Sequence, residues 1–223
     1  MENAFKIVLA LHILGGGIGL TAGTVNMFRP KGDRIHKICG RFFLYGMLTA
    51  GSAALFLSAM HTNYFLFITG VFTIYMVGTG DRYLLRRGTA QNLKPALVDW
   101  ALTIGMLLFG LGFIAFGIYK LIAGNTFGLV FSVFGFISLS MVRGDIKNYT
   151  QPPVYKNTWL LVHLQRMMGA YIAATTAFLV VNLPGDIIPP NLKFIPWLLP
   201  TALIVPLIFK WSKKYAVKVK PAE

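Results

Sequence analysis

Between Ala4 and Met27 the chain carries one charge, Lys6, and between Phe42 and Met60 it carries none. As a helix, each run is long enough to cross the roughly 30 Å hydrocarbon core of a bilayer. The connection between them, Arg29-Pro30-Lys31-Gly32-Asp33-Arg34-Ile35-His36-Lys37-Ile38-Cys39-Gly40-Arg41, holds five cations: Arg29, Lys31, Arg34, Lys37 and Arg41. A short loop so rich in Lys and Arg is retained on the cytoplasmic side of a membrane. Two spans hinged on a cytoplasmic turn fix how everything after them is threaded.

Composition places the whole chain in the same class. It is 56% hydrophobic and 13% charged, about half the charged fraction of a soluble domain. The formal charge of +14 would point a soluble protein toward nucleic acid. In a membrane protein it reads as basic loops against anionic headgroups, so the bilayer, and no nucleic acid, is the expected partner. Cys39 is the sole cysteine, which excludes an intramolecular disulfide and a cysteine-based metal cluster. No metal ligand set is predicted. The first apolar run is longer than a signal-peptide core and is followed by charges, so it reads as a retained first helix.

Seven apolar segments follow one another, at roughly 4–27, 37–60, 64–82, 95–119, 126–143, 158–182 and 195–212. They predict an all-α, polytopic transmembrane helical bundle, a single integral membrane domain over 1–223. Basic residues concentrate in alternate connections: Arg82, Arg86, Arg87 and Lys94 after the third segment, Arg143, Lys147 and Lys156 after the fifth. The tail adds Lys210, Lys213, Lys214, Lys218 and Lys220, while the other connections hold little beyond His61, Lys120 and Lys193. This alternation predicts an outside N-terminus and a cytoplasmic C-terminus. A six-span alternative lays the last segment, with Pro196, Pro200 and Pro206, in the interface; proline is nevertheless tolerated in membrane helices.

In the first segment Gly15, Gly19 and Gly23 recur every four residues, a face on which another backbone approaches closely. His12 shares that stripe and is predicted to face inward. Glycines also recur at Gly105, Gly110, Gly112 and Gly117, and at Gly124, Gly128 and Gly135, where tight packing is the expectation. Ionisable groups gather near the cytoplasmic helix ends: His36, Arg41, Asp81, Arg82, Asp99, Asp145, His163 and Arg166. Intramembrane charges are costly and mark either internal pairs or functional sites. One reading is a set of ion pairs tying helix ends together. The other is a polar pocket open to the cytoplasm, with Asp99 and His163 exchanging protons.

Leu11-His12-Ile13 in a glycine-rich helix, then His36-Lys37-Ile38-Cys39-Gly40-Arg41 opening the next, resembles a bacterial family of predicted membrane proteins, domain of unknown function 2306. His163-Leu164-Gln165-Arg166-Met167-Met168 is similar to the histidine and methionine pattern of that family's late helix. The likeness runs over about residues 5–182. It implies location in a bacterial inner membrane and draws attention to His12, His36 and His163, and it implies no chemistry.

Four function classes remain open on the residues. A small solute or proton pathway would use the polar layer and the mobility of the glycine-rich first and proline-broken last helices. A haem- or quinone-linked redox protein would use inward histidines, with haem b the possible cofactor; His36 and His163 differ in depth by about 10 Å at most. A membrane-embedded enzyme would combine Asp99, Asp145 and His163 with Arg41 or Arg166 on an anionic headgroup. An accessory subunit would use none of these. His-Glu-x-x-His and Gly-x-x-x-x-Gly-Lys signatures do not occur.

Overall fold

A computed structural model describes residues 2–86, 94–183, 189 and 195–219. Arg87, Lys193 and Lys220, counted above among the loop charges, lie outside them. Among the described residues seven helices run in order: α1 Glu2–Phe28, α2 Arg34–Met60, α3 Tyr64–Leu85, α4 Leu97–Ile122, α5 Gly128–Thr150, α6 Thr158–Asn182 and α7 Ile195–Tyr215. All seven are long and apolar enough to cross a membrane, α7 included despite Pro200 and Pro206 within it. The protein is all-α, and its sequence reads as that of a multi-pass membrane protein. Several ends shift from the expected ones, for local reasons. Helix α2 starts at Arg34 because Asp33 caps it, its carboxylate accepting the His36 amide at 2.6 Å. Helix α4 starts at Leu97, where Asp99 turns back to accept the Ala96 amide at 2.8 Å. Helix α5 runs to Thr150 and not to 143, because Asp145, which looks like loop, is wholly buried within it.

The chain divides into two compact units. The first comprises Met1–Asp81 and Leu160–Ala216 and so holds α1, α2, most of α3 and α6, and α7. Its tightest seam joins α1 to α2. Gly15 and Gly19 are buried there, while Gly23 is buried chiefly against Tyr171 of α6; a Cβ built on Gly46 of α2 would stand 2.7 Å from the Gly15 carbonyl oxygen. His12 lies on the same stripe, its Nδ1 2.9 Å from the Ala50 carbonyl of α2. Ile7, Leu11, Ile13, Leu14 and Ile18 of α1 are exposed, as lipid-facing side chains would be. Elsewhere in this unit Leu164, Met168 and Ile204 join α6 to α7.

The basic turn after α1 is partly consumed in folding. Lys31 Nζ donates to the carbonyls of Asn26, Met27 and Arg29, at 2.5, 3.1 and 3.3 Å, closing the C-terminus of α1. It also lies 4.1 Å from the Trp211 ring centroid, and burial lowers its pKa. Arg29 pairs with Asp33 at 2.7 Å.

The second unit comprises Arg82–Trp159 and Val217–Glu223. Helices α4 and α5 pack through Gly110, Gly117, Gly128 and Gly135, where each added Cβ would meet the facing helix within 3 Å. Gly105 and Gly112 meet nothing within 4 Å and sit on the open side, so only part of the expected glycine set is a packing face. The chain's end returns to this unit. Lys218 bridges Tyr155, the Lys156 amide donates to the Val217 carbonyl at 2.8 Å, and the Val219 amide donates to Val154 at 3.2 Å.

Candidate functional site

In the first unit, polar groups gather where α3 ends and α6 begins. His163 Nδ1 is 2.9 Å from the Gly80 carbonyl. With Nδ1 donating, the neutral ring presents Nε2 as a base or ligand. The approach depends on Gly80, whose added Cβ would stand 3.1 Å from Arg166 Cβ and 3.0 Å from Met167 Cε. Asp81, half-buried, acts electrostatically on His163, and His163 acts on His36. The Nδ1 of His36 is buried and makes no hydrogen bond. Arg166 is buried with its guanidinium 4.8 Å from the Tyr75 ring centroid. Four of the expected residues, His36, Asp81, His163 and Arg166, thus belong to this unit. Arg41 belongs to it too but is exposed, and His12 is engaged with α2.

Asp99 and Asp145 belong to the second unit. Arg82 Nε and Nη2 donate to the two oxygens of Asp99 at 2.7 and 3.1 Å, a bidentate pair that ties the end of α3 to the first turn of α4. With its second oxygen also on the Ala96 amide, Asp99 has a structural task that accounts for its burial. Asp145 accepts from the Tyr83 hydroxyl at 3.3 Å, and Asn148 donates to that hydroxyl at 3.3 Å.

Beside this network opens a cavity of about 480 Å³, within the size range of small-molecule sites. Tyr83 of α3, Arg86 just past its end, and Asn148 and Tyr149 of α5 form one wall. The Arg86 guanidinium lies 5.5 Å from the Tyr83 ring centroid and 5.3 Å from that of Tyr149. The two rings stack 6.3 Å apart at 22°. Tyr149 is held in turn by Thr103 at 3.3 Å and by the edge of Trp100. The rest of the lining comes from Gln151, Pro152 and Pro153 of the connection after α5, from Trp159 at the start of α6, and from Val219 of the returning tail. The backbone pairing of 154–156 with 217–219 is what folds this part into place.

Sequence reasoning found Asp145 but missed the cavity beside it. Arg82 belongs to the polar layer legible in the sequence, but Arg86 reads only as a loop charge. The available signal was their position one turn apart on a helix end, with Tyr83 between them. Among the described residues no cluster of three or more His, Cys, Asp or Glu suits a metal ion. No family model, curated protein or solved structure matches this chain.

Proposed function

We propose that this is a multi-pass protein of a bacterial cytoplasmic membrane, N-terminus outside and C-terminus inside, that takes up a small polar solute at its cytoplasmic face. The resemblance to the domain of unknown function 2306 family supports the location, and the alternation of basic connections supports the orientation. The cavity of the second unit carries the functional reading: a recess of about 480 Å³ walled by aromatic rings, amides and a guanidinium, in a chain otherwise built of apolar helices. Such a recess is what the first step of a solute pathway requires.

Aqueous access tests it. In a Cys39→Ser background, Asn148→Cys and Thr158→Cys, both on the cavity wall, should react with a membrane-impermeant maleimide in inverted vesicles. Leu108→Cys, 65% exposed on α4, should not, because that side faces lipid. Cavity cysteines as inert as the Leu108 control would remove the reading.

A redox function has one observation in its favour. The hydrogen bond from His163 Nδ1 to Gly80 is how axial imidazoles are commonly oriented. His36 and His163 would be the residues to hold a haem iron, which would carry single electrons. The visible spectrum of the purified protein tests this reading, with a Soret band lost in His163→Ala as the supporting result.

A further inference from the structure

Helix α2 turns one continuous face outward. Arg34, Lys37 and Arg41 are spaced three and four residues apart, so they share one side of the helix, and all three are exposed. Ile38, Phe42 and Tyr45, at 45, 58 and 65% exposure, carry the same side onward. Phe43, Met47 and Ala50, on the opposite side, are buried. The three cations make no hydrogen bond or ion pair with any described residue. Asp33, the nearest carboxylate in the chain, is already engaged by Arg29 and by the His36 amide.

Depth gives this stripe its meaning. The uncharged run over 42–60 is about 28 Å long as a helix, enough to fill the roughly 30 Å hydrocarbon core. Arg41 therefore stands at the acyl boundary, with Lys37 and Arg34 above it in the headgroup layer, the three spread over about 10 Å of helix axis. Helical side chains lean toward the N-terminus of their helix, which in α2 is the end at the basic turn. Arg41 thus reaches up toward Lys37 and away from the acyl chains. Water alone satisfies an ordinary loop charge. Arg41 instead sits on a face that leads straight into lipid, where phosphate oxygens are the abundant acceptors and suit its planar fork.

We propose that this face of α2 binds an anionic phospholipid, its phosphate held by Arg34, Lys37 and Arg41 and its acyl chains lying along Phe42 and Tyr45. Charge complementarity selects an anionic lipid over a zwitterionic one, whose own ammonium competes with the three cations for the phosphate. Each Lys or Arg near an anionic headgroup contributes about fivefold in affinity, and three together about a hundredfold. The site belongs wholly to the first unit and makes no use of the cavity, so it stands whether or not that cavity takes up a solute.

Native mass spectrometry of the full-length protein, with phosphatidylglycerol or phosphatidylcholine titrated into the detergent, counts bound lipids and gives their affinities. The first phosphatidylglycerol should bind at least about tenfold more tightly than the first phosphatidylcholine, and the preference should shrink as ionic strength rises. Arg34→Gln/Lys37→Gln/Arg41→Gln should abolish that preference. Lys210→Gln/Lys213→Gln/Lys214→Gln, which removes as much charge from exposed positions of α7, should keep it. If the triple α2 variant does not fold, Arg41→Gln alone should weaken phosphatidylglycerol about fivefold at unchanged helicity. Equal losses from the α2 and α7 variants would reduce the effect to bulk charge, and equal affinity for the two lipids would leave no site; either overturns the proposal. So would a native mass of two chains that falls to one in the α2 variant, which would make this face a contact between copies.

Discussion

Gly46→Ala measures how closely α1 and α2 are driven together. An added Cβ would stand 2.7 Å from the Gly15 carbonyl oxygen and 2.9 Å from the Gly19 nitrogen, both backbone atoms that cannot rotate away. Ordinary contact begins at 3.4 Å, so the helices must part by about 0.7 Å. A gap of that size forfeits a quarter to a half of each van der Waals well of about 0.1–0.2 kcal/mol. Over roughly 40 atom pairs along the seam this comes to about 2 kcal/mol. Replacing glycine in a helix returns up to about 1 kcal/mol, leaving a net loss of about 1 kcal/mol or more. Gly17→Ala is the control: its Cβ meets nothing within 4 Å, so only the favourable term applies. Gly19→Ala should fall between them, because its nearest neighbour is the flexible Met47 thioether at 2.7 Å. Denaturation of the three variants in mild detergent, followed by helicity and tryptophan fluorescence, gives the ranking. Equal stability of Gly46→Ala and Gly17→Ala would mean that the seam yields, and the close-approach argument would fail.

Other features make equally direct claims. Removal of the Asp99 carboxylate in Asp99→Ala takes away both hydrogen bonds of the Arg82 pair and frees the Ala96 amide, and should cost about 2–4 kcal/mol. The Arg82→Ala/Asp99→Ala double variant should lose less than the sum of its parts, and strict additivity in a denaturation series would refute the pairing. Asp33 accepts the His36 amide and pairs with Arg29, which holds its carboxyl below the ordinary 3.8. Its contribution to stability is therefore complete above that value and lost as the pH falls through the lower folded one. A titration of the unfolding midpoint from about pH 5 to about pH 2 should show this component in the native protein and lack it in Asp33→Ala. A reporter fused after Glu223 should be cytoplasmic and one at Met1 external; both on the cytoplasmic side would take α7 out of the membrane.

What the sequence made readable was whatever depends on residues close together in the chain. The α1 stripe of Gly15, Gly19 and Gly23 follows from spacing alone, and His12 rides on it. The end of α5 did not follow. Arg143-Gly144-Asp145 resembles a helix stop, and the Tyr83 hydroxyl that donates to the buried carboxylate comes from 62 residues away. The partner of His163 is a backbone carbonyl 83 residues away, which carries no residue signature. The cavity wall is shaped by main-chain pairing of 154–156 with 217–219, an interaction between stretches that share no pattern. Gly105 and Gly112 were as conspicuous as Gly110 and Gly117, yet only the second pair faces α5; which side of a uniformly apolar helix is covered depends on a neighbour that composition does not specify.

The discontinuity of the first unit bears on biogenesis. Helices α1 to α3 leave the ribosome long before the segments of α6 and α7 that complete their unit. From Leu85 to Asn182 about 100 residues intervene, which at ~5–20 residues per second is ~5–20 s of synthesis. Throughout that interval Gly80 and the faces of α3 awaiting α6 stand open to lipid or to the insertion machinery. The α4–α5 hairpin needs no such wait, since its partners are joined by the short connection Ala123–Phe127. Synthesis therefore finishes the middle of the chain first and closes the unit holding the N-terminus last, so a late truncation would leave an early structure unfinished.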